Sequence, residues 1–203
     1  MSDSTSDHGR RRLLIGASSL LGAAAVGAVA TPFVMSMLPS ARAKAAGAPV
    51  EVDVSKVEAG MMLTSEWRGQ PVWVVNRTPE MIEQLGKNAS RLRDPQSENT
   101  DQQPEYCKNT SRSRAEHPNL LVVVGICTHL GCSPQDRMKA GNAAGMGDDW
   151  PGGFFCPCHG SKFDMAARVF QGVPAPYNMR IPPHMYLPSG RLLVGADENT
   201  KGA

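Results

Sequence analysis

The sequence predicts a mostly β soluble domain preceded by one apolar N-terminal helix. The 203 residues include 20 Gly and 16 Pro, which favour short strands and turns over long helices. Residues 13–38 carry no charged side chain, and the later sequence contains alternating valines and one fully apolar run. The net charge is only +2, which disfavours nucleic-acid binding by bulk charge. The length suits one domain plus an appendage and excludes a multidomain enzyme.

The apolar segment at residues 13–38 predicts a transmembrane anchor. As a helix it would reach about 39 Å, which is enough to cross a hydrocarbon core of about 30 Å. The arginines at 10–12 place the N-terminus in the cytoplasm by the positive-inside tendency, so the remaining chain is exported to the periplasmic side of the bacterial inner membrane. Residues 10–14 also resemble a twin-arginine export signal.

A cleaved signal peptide is the alternative to an uncleaved anchor, because residues 41–43 (Ala-Arg-Ala) resemble a cleavage site. The anchor is favoured, since a secretory apolar region usually spans about 7–15 residues. Residues 39–49 are small, Ala-rich and without periodicity, which indicates a flexible hinge or linker. The predicted parts are a cytoplasmic N-terminus at 1–12, the anchor at 13–38, the linker at 39–49 and the soluble domain at 50–203.

The soluble domain contains several strand signals and one helix signal. Valines alternate with polar residues over 50–54, as in a half-buried strand. Residues 78–80 (Thr-Pro-Glu) form a helix start, and apolar residues at helical spacing continue it to about Arg93. The other predicted elements are strands at Met61–Trp67 and Pro71–Val75, an irregular segment at Asp94–Pro118 and a fully buried strand at Leu120–Ile126.

Two short motifs carry the chemistry. Residues 127–132 read Cys-Thr-His-Leu-Gly-Cys, and residues 156–161 read Cys-Pro-Cys-His-Gly-Ser. Thiolates together with imidazoles suit either tetrahedral zinc or an iron-sulfur cluster, so the spacing predicts a metal site without naming the metal. Two disulfides with incidental histidines are the alternative, although disulfides alone would need no histidine.

The two motifs closely resemble both halves of the signature of the Rieske iron-sulfur family. The resemblance implies a small antiparallel β-sandwich with cluster-binding loops and one helix-containing insertion. It also implies one 2Fe-2S cluster, with Cys127 and Cys156 on one iron and His129 and His159 on the other. A structural zinc protein without electron transfer is the alternative that it disfavours.

The resemblance assigns further residues around the cluster. Cys132 and Cys158 would form a disulfide that ties the two loops together, and the hydroxyl of Ser161 would bond a bridging sulfide. Phe163 departs from the family, because high-potential members often carry Tyr there and its hydroxyl bonds a ligand sulfur. Residues 172–176 resemble the Pro-rich loop that covers the cluster.

The anchor, linker and strand-rich domain resemble proteobacterial members of the quinol-cytochrome c reductase subgroup. That resemblance implies the redox subunit of a translocase complex, inactive alone and dimeric with cytochrome b and a c-type cytochrome. His159 would contact the quinol, and a mobile domain would carry the electron to the cytochrome while a ligand imidazole exchanges a proton. A Rieske subunit of another exported oxidoreductase, such as arsenite oxidase, is the alternative function. A soluble Rieske ferredoxin is disfavoured more strongly.

Several residues fall outside the two motifs. Cys107 is interpreted as an idle thiol, with a fifth ligand or an intermolecular disulfide as alternatives. His8, His117 and His184 have no nearby cysteine and are predicted to be solvated surface residues. The segment between the motifs, 133–155, is predicted to be an exposed insertion because it is rich in Gly and charged residues.

Overall fold

The computed structural model describes residues 7–198. These residues form two compact units, of which the first ends at Ala45 and the second begins at Ala46. Residues 1–6 and 199–203, which belong to the predicted N-terminus and soluble domain, lie outside the described residues. The first unit contains the helix α1 (Asp7–Ser36), in which every side chain is exposed. By length and composition α1 is able to cross a membrane. It begins six residues before the start of the predicted anchor at residue 13, and it ends two residues before the end of that anchor at residue 38.

A second, short helix α2 (Ala41–Ala46) lies within the range predicted as a flexible linker. Alanine is the best helix former, and residues 41–46 contain four alanines, so local propensity accounts for this turn of helix. The flexibility of residues 39–49 stays a prediction.

The second unit consists of three antiparallel sheets, each with three strands, among the residues described from 46 to 198. The strands are β1 (Val50–Val52), β2 (Met62–Trp67), β3 (Gln70–Asn76), β4 (Leu120–Val124), β5 (Gln135–Arg137), β6 (Gly153–Cys156), β7 (Ser161–Asp164), β8 (His184–Tyr186) and β9 (Leu192–Val194). Their spatial orders in the three sheets are β1-β9-β8, β2-β3-β4 and β5-β6-β7.

The sheet β2-β3-β4 packs against a hydrophobic core on each face, and its strands β3 and β4 are mostly buried. Val72 and Val74 of β3 point towards β1 and β9, whereas Trp73 and Val75 point towards the sheet β5-β6-β7. All five residues of β4 are buried for the same reason, which explains its uninterrupted apolar sequence. The predicted strand is confirmed over Leu120–Val124, but it ends before Gly125.

The predicted helix begins where expected and ends early. The helix α3 spans Pro79–Lys87, and the hydroxyl of Thr78 accepts a hydrogen bond from the amide of Met81 at 3.3 Å. The extension to Arg93 is wrong, because Asn88 caps the helix and the following chain pairs with another segment. The amide of Arg93 donates to the carbonyl of Val169 at 3.0 Å, a tertiary bond that outweighs helical periodicity.

The segment between the two motifs is more ordered than predicted. Its two ends form β5 and β6, which pair with each other. Trp150 is buried against Leu92 and Phe170, and its indole nitrogen donates to the carbonyl of Arg137 at 2.7 Å. The prediction of an exposed insertion therefore holds for residues 135–149, whose side chains are exposed or half-buried, and is wrong for the buried residues 150–154.

A buried ion pair closes the turn that follows β7. Arg168 and Asp164 are both fully buried, with 2.6 Å between Arg168 Nη2 and Asp164 Oδ2. The other carboxylate oxygen accepts hydrogen bonds from the amides of Ala166 and Arg168, each at 2.9 Å. One carboxylate therefore satisfies both a buried cation and two backbone donors.

Two further buried arginines bind the same turn through its carbonyl groups. Arg77 donates to the carbonyl of Met165 at 3.1 Å, and Arg112 donates to the carbonyls of Ala166 and Ala167 at 3.4 and 3.1 Å. Burial lowers the pKa of both guanidinium groups to about 10. The turn at residues 164–168 is thus held by three arginines.

His184 does not lie on the surface, so the prediction for this residue is wrong. It is 1% exposed, its Nδ1 bonds the carbonyl of Pro182 at 2.9 Å, and its amide donates to the hydroxyl of Tyr106 at 2.9 Å. Burial lowers the pKa of His184 to about 4. His117 is half-buried against Tyr186, and His8 is exposed on α1.

Replacing Asp164 tests the ion pair behind β7. We expect Asp164→Asn to lower the free energy of unfolding by about 3–5 kcal/mol, because Arg168 is left as an unpaired buried charge. Urea unfolding of residues 46–203, followed by circular dichroism, measures this loss. The control is Glu83→Gln, which breaks the exposed pair with Lys87 and should cost less than about 1 kcal/mol. Equal losses would show that the buried pair has no special role.

The buried His184 predicts a dependence of stability on pH. Its folded pKa of about 4 lies below the unfolded value of 6.5, so the unfolded chain binds the proton more readily. Stability is therefore complete above pH 6.5 and falls by about 3 kcal/mol as the pH drops to 4. The test compares the unfolding free energies of wild type and His184→Gln between roughly pH 7 and pH 4, the range that contains both pKa values. The stability advantage of wild type should shrink towards low pH, because glutamine does not bind the proton. A constant difference would contradict the prediction.

Candidate metal centre

The first motif forms a loop that begins after β4. The amide of Cys127 donates to the carbonyl of Cys132 at 2.8 Å, and the amide of Gly131 donates to the carbonyl of Cys127 at 3.1 Å. Gly131 has a φ of +82°, a left-handed conformation that closes the loop without a Cβ clash. Cys127 is 2% exposed, whereas His129 is half-buried and Leu130 is exposed.

The second motif forms the turn between two paired strands. Cys156 ends β6 and Ser161 begins β7, and these two residues lie opposite each other in the ladder. The amide of Gly160, with φ of +80°, donates to the carbonyl of Cys156 at 2.9 Å. Cys156 is buried and His159 is exposed, so both loops place a thiol inside and an imidazole outside.

The two loops meet although the motifs are far apart in sequence. The rings of His129 and His159 have centroids 4.8 Å apart and are nearly perpendicular. Cys132 and Cys158 form a disulfide with their Cα atoms 6.7 Å apart, which confirms the predicted pair. The sulfur of Cys156 lies within 4.8 Å of both disulfide sulfurs. The structure therefore gathers six of the predicted site side chains at one edge.

The inner side of the site contains two thiols and one hydroxyl. Burial raises the pKa of Cys127, while hydrogen bonds from the backbone of His129 and from the Ser161 hydroxyl act in the opposite direction. The nearby Cys156 raises the pKa further. These contacts place Ser161, which is 1% exposed, beside the sulfur of Cys127.

A loop that includes residues 172–176 attaches to both motifs. The amide of Ala175 donates to Ser161 Oγ at 3.0 Å, and the hydroxyl of Thr128 donates to the carbonyl of Tyr177 at 2.6 Å. The sequence reasoning did not single out Thr128 or Tyr177. Thr128 lies inside the first motif, whereas Tyr177 bonds through its backbone and so leaves no signal in the sequence.

Cys107 is a free thiol with no exposed surface, and it belongs to the same buried core as Cys127 and Cys156. Burial raises the pKa of Cys107 to about 12, so the thiol stays protonated at neutral pH. A fully buried, protonated thiol has no access to a partner chain, which argues against the intermolecular disulfide. The interpretation as an idle thiol agrees with these observations.

The residues at this edge fit a 2Fe-2S cluster. Two buried thiols and two imidazoles at the rim form a mixed sulfur and nitrogen donor set with distinct inner and outer sides. A cluster with thiolates on one iron and imidazoles on the other needs such a division, because its two metal ions differ in ligands. The remaining two cysteines are occupied by their disulfide and so do not compete as donors.

Comparison with known protein families agrees with this donor set. Residues 96–183 match the family described as "Rieske [2Fe-2S] domain". Residues 1–40 match the family described as "Ubiquitinol-cytochrome C reductase Fe-S subunit TAT signal". Together the two matches cover the two motifs, α1 and the twin-arginine sequence.

Individual relatives extend the similarity over nearly the whole chain. The chain is 56% identical to the ubiquinol-cytochrome c reductase iron-sulfur subunit of Allochromatium vinosum, covering 94% of this chain and 90% of the relative. It is 38% identical to the subunit of the same name from Bradyrhizobium diazoefficiens, covering 95% of this chain and 98% of the relative. A solved structure titled "Hyperthermophilic respiratory Complex III" is 24% identical, covers 88% of this chain and 97% of its own, and has a TM-score of 0.47.

The family match and the sequence relatives exclude the zinc alternative, because they identify a domain that binds a Rieske-type 2Fe-2S cluster. The fold agrees, since the two motifs lie on the loops of a mostly β domain with antiparallel sheets. The chain belongs to the Rieske iron-sulfur family, among the iron-sulfur subunits of ubiquinol-cytochrome c reductase.

Proposed function

We propose that this chain is the electron-transfer subunit of a quinol-cytochrome c reductase, taking electrons from quinol and delivering them to a c-type cytochrome. The observation that carries the proposal is the pair of imidazoles, 4.8 Å apart at the rim, above two buried thiols. The relatives are named as ubiquinol-cytochrome c reductase subunits, which supports this activity. Their names favour it over the alternative function, that of a Rieske subunit of another exported oxidoreductase such as arsenite oxidase. The partners would be cytochrome b and a c-type cytochrome in a dimeric translocase complex, and the chain would be inactive alone.

The proposed ligands are Cys127 and Cys156 for the inner iron and His129 and His159 for the outer iron. The proposal follows from burial, since the thiols are 2% exposed and the imidazoles lie at the surface. When bound, the cluster supplies a one-electron carrier whose potential lies in the range of about −150 to +300 mV. Ser161 would donate a hydrogen bond towards the sulfur atoms and so favour the reduced form.

His159 is the proposed contact for quinol, because its side chain is exposed whereas that of His129 is half-buried. A ring nitrogen that is not used for ligation is able to accept a hydrogen bond from a quinol hydroxyl group. As the quinol gives up its first electron to the site, the proton of that hydroxyl group would pass to this ring nitrogen of His159, which accepts it in its deprotonated form, because an added electron favours an added positive charge. After the electron has passed to the c-type cytochrome, the exposed ring would release the proton to water.

The proposed location of the chain is the inner membrane, with the N-terminus in the cytoplasm and the second unit on the periplasmic side. The helix α1 is long and apolar enough to span the bilayer, and the three arginines at 10–12 lie near its start. The proposed linker at 39–49 would let the second unit move between the quinol site and the cytochrome.

A redox titration followed by EPR, on native membranes at several pH values, tests the proposed function. We expect a positive midpoint potential that falls as the pH rises, approaching about 59 mV per pH unit for one proton per electron. The sign follows because reduction favours protonation, so acid stabilises the reduced form. A low midpoint without pH dependence would contradict the proposal and favour a ferredoxin-like role.

Single substitutions in the same experiment test the ligand set. We expect Cys127→Ser, His129→Gln, Cys156→Ser and His159→Gln each to abolish the normal signal. The matched control is His117→Gln, because this imidazole is half-buried and lies outside both motifs. A normal signal in any of the four ligand variants would remove that residue from the set.

Phe163→Tyr tests how the chain sets its potential. Phe163 is fully buried in β7. The resemblance to the Rieske family implies that high-potential members often carry a tyrosine here, whose hydroxyl bonds a ligand sulfur. We expect the substitution to raise the midpoint potential, because a hydrogen bond to sulfur favours the reduced form. The control is Phe170→Tyr, because Phe170 is also buried but packs against Leu92 and Trp150, away from the two motifs. Equal midpoints in Phe163→Tyr and wild type would contradict this explanation.

A further inference from the structure

Trp73 of β3 lies where the two cysteine-bearing loops begin. It is 5% exposed and belongs to the core between the central sheet and the sheet β5-β6-β7. In the central sheet it lies opposite Val123 of β4, the strand that leads into the first motif. Its backbone is therefore held between β2 and β4 within the central sheet.

The indole contacts the root of the first loop at Gly125, two residues before Cys127. A Cβ atom at Gly125 would lie 2.6 Å from Cζ2 and 2.8 Å from Cδ2 of Trp73, far inside contact distance. The backbone of Gly125 therefore rests directly on the ring. A hydrogen bond of 2.8 Å from its amide to the carbonyl of Pro71 fixes the same residue laterally.

The indole also contacts the root of the second loop. Its ring stacks on Phe154, with centroids 5.2 Å apart and an angle of 27° between the planes. Phe154 is fully buried and lies two residues before Cys156 on β6. Trp73 therefore contacts the two loops at equivalent positions, because each contacted residue lies two residues before the buried cysteine of its loop.

We infer that Trp73 is a positioning residue that sets the separation of the thiols of Cys127 and Cys156. An indole is rigid, and protein interiors are too dense to let its two neighbours approach or separate without repacking. Loss of the ring would let the two loop roots move independently. This inference rests on the ligand set proposed above.

Trp67 offers a matched control within the same sheet. It is also 5% exposed and also packs on a glycine, since a Cβ at Gly195 would lie 2.7 Å from its Cε2. Its core, however, lies on the opposite face of the central sheet, together with β1 and β9. Equivalent substitutions at Trp67 and Trp73 remove similar apolar contacts, but only those at Trp73 act on the loops.

The experiment compares Trp73→Leu, Trp67→Leu and wild type as full chains in detergent, each loaded with its cluster. The rate of cluster loss to an excess of iron chelator is followed by visible absorbance, and the EPR spectrum of the reduced state is recorded beforehand. We expect Trp73→Leu to lose its cluster about tenfold faster, the lower end of the effect of removing groups that orient metal ligands. Its EPR lines should broaden, and Trp67→Leu should match wild type in both measurements.

The conservative variant Trp73→Phe should restore most of the retention, because Phe still fills the space between the loops. Equal rates of cluster loss for Trp73→Leu and Trp67→Leu would overturn the inference, since the effect would then be one of general stability. A wild-type spectrum without mixed Cys and His ligation would instead contradict the proposed function, so the two failures are distinguishable.

A second pair of variants decides the question if Trp73→Leu does not fold. Gly125→Ala alone should accelerate cluster loss, because its Cβ overlaps the six-membered ring of the indole. Adding Trp73→Phe to Gly125→Ala should bring the rate back towards wild type, since Phe lacks that second ring. A double variant that is as fast as Gly125→Ala alone, or faster, would overturn the inference.

Discussion

The structure depends on one constraint: two loops from distant parts of the chain must present two thiols and two imidazoles to the same point. The disulfide between Cys132 and Cys158 joins loops that are 26 residues apart and stabilises the fold by about 3 kcal/mol through chain entropy. Each loop is closed by backbone hydrogen bonds, with Cys127 and Cys156 buried and the two histidines nearer the surface. Because the site lies at an edge, the imidazoles reach the surface while the thiols stay dry.

The interior behind this edge is unusually rich in buried arginine. Arg77, Arg112 and Arg168 are each at most 1% exposed, and Asp164 is the buried carboxylate that pairs with Arg168. The charges are tolerated because Arg77 and Arg112 donate to backbone carbonyl groups of the turn at 164–168. The guanidinium group of Arg168 donates instead to the carboxylate of Asp164 in the same turn. Such a network is costly to break and fixes one arrangement of the turn. The backbone that enters and leaves the second loop therefore rests on a rigid base.

The sequence predicted most local features and few tertiary ones. The cap at Thr78 and the strand Leu120–Val124 could be predicted, because each is encoded by neighbouring residues. The disulfide pair was implied by the resemblance to the Rieske family. The early end of α3 could not be predicted, because it depends on the pairing of residues 92 and 93 with residues 169 and 170, which are distant in sequence. The burial of His184, whose amide donates to the hydroxyl of Tyr106, and the packing of Trp73 also depend on distant partners and leave no local pattern.

The exposed apolar side chains are unevenly distributed between the two units, and this has a practical consequence for handling the protein. Most of the large ones belong to residues 13–38, whereas among residues 46–198 they are confined to Met61, Leu130 and Tyr177. Aggregation in water should therefore arise mainly from the N-terminal helix. A chain that begins at Ala46 should dissolve without detergent, which would make the second unit accessible to solution methods that a micelle obscures.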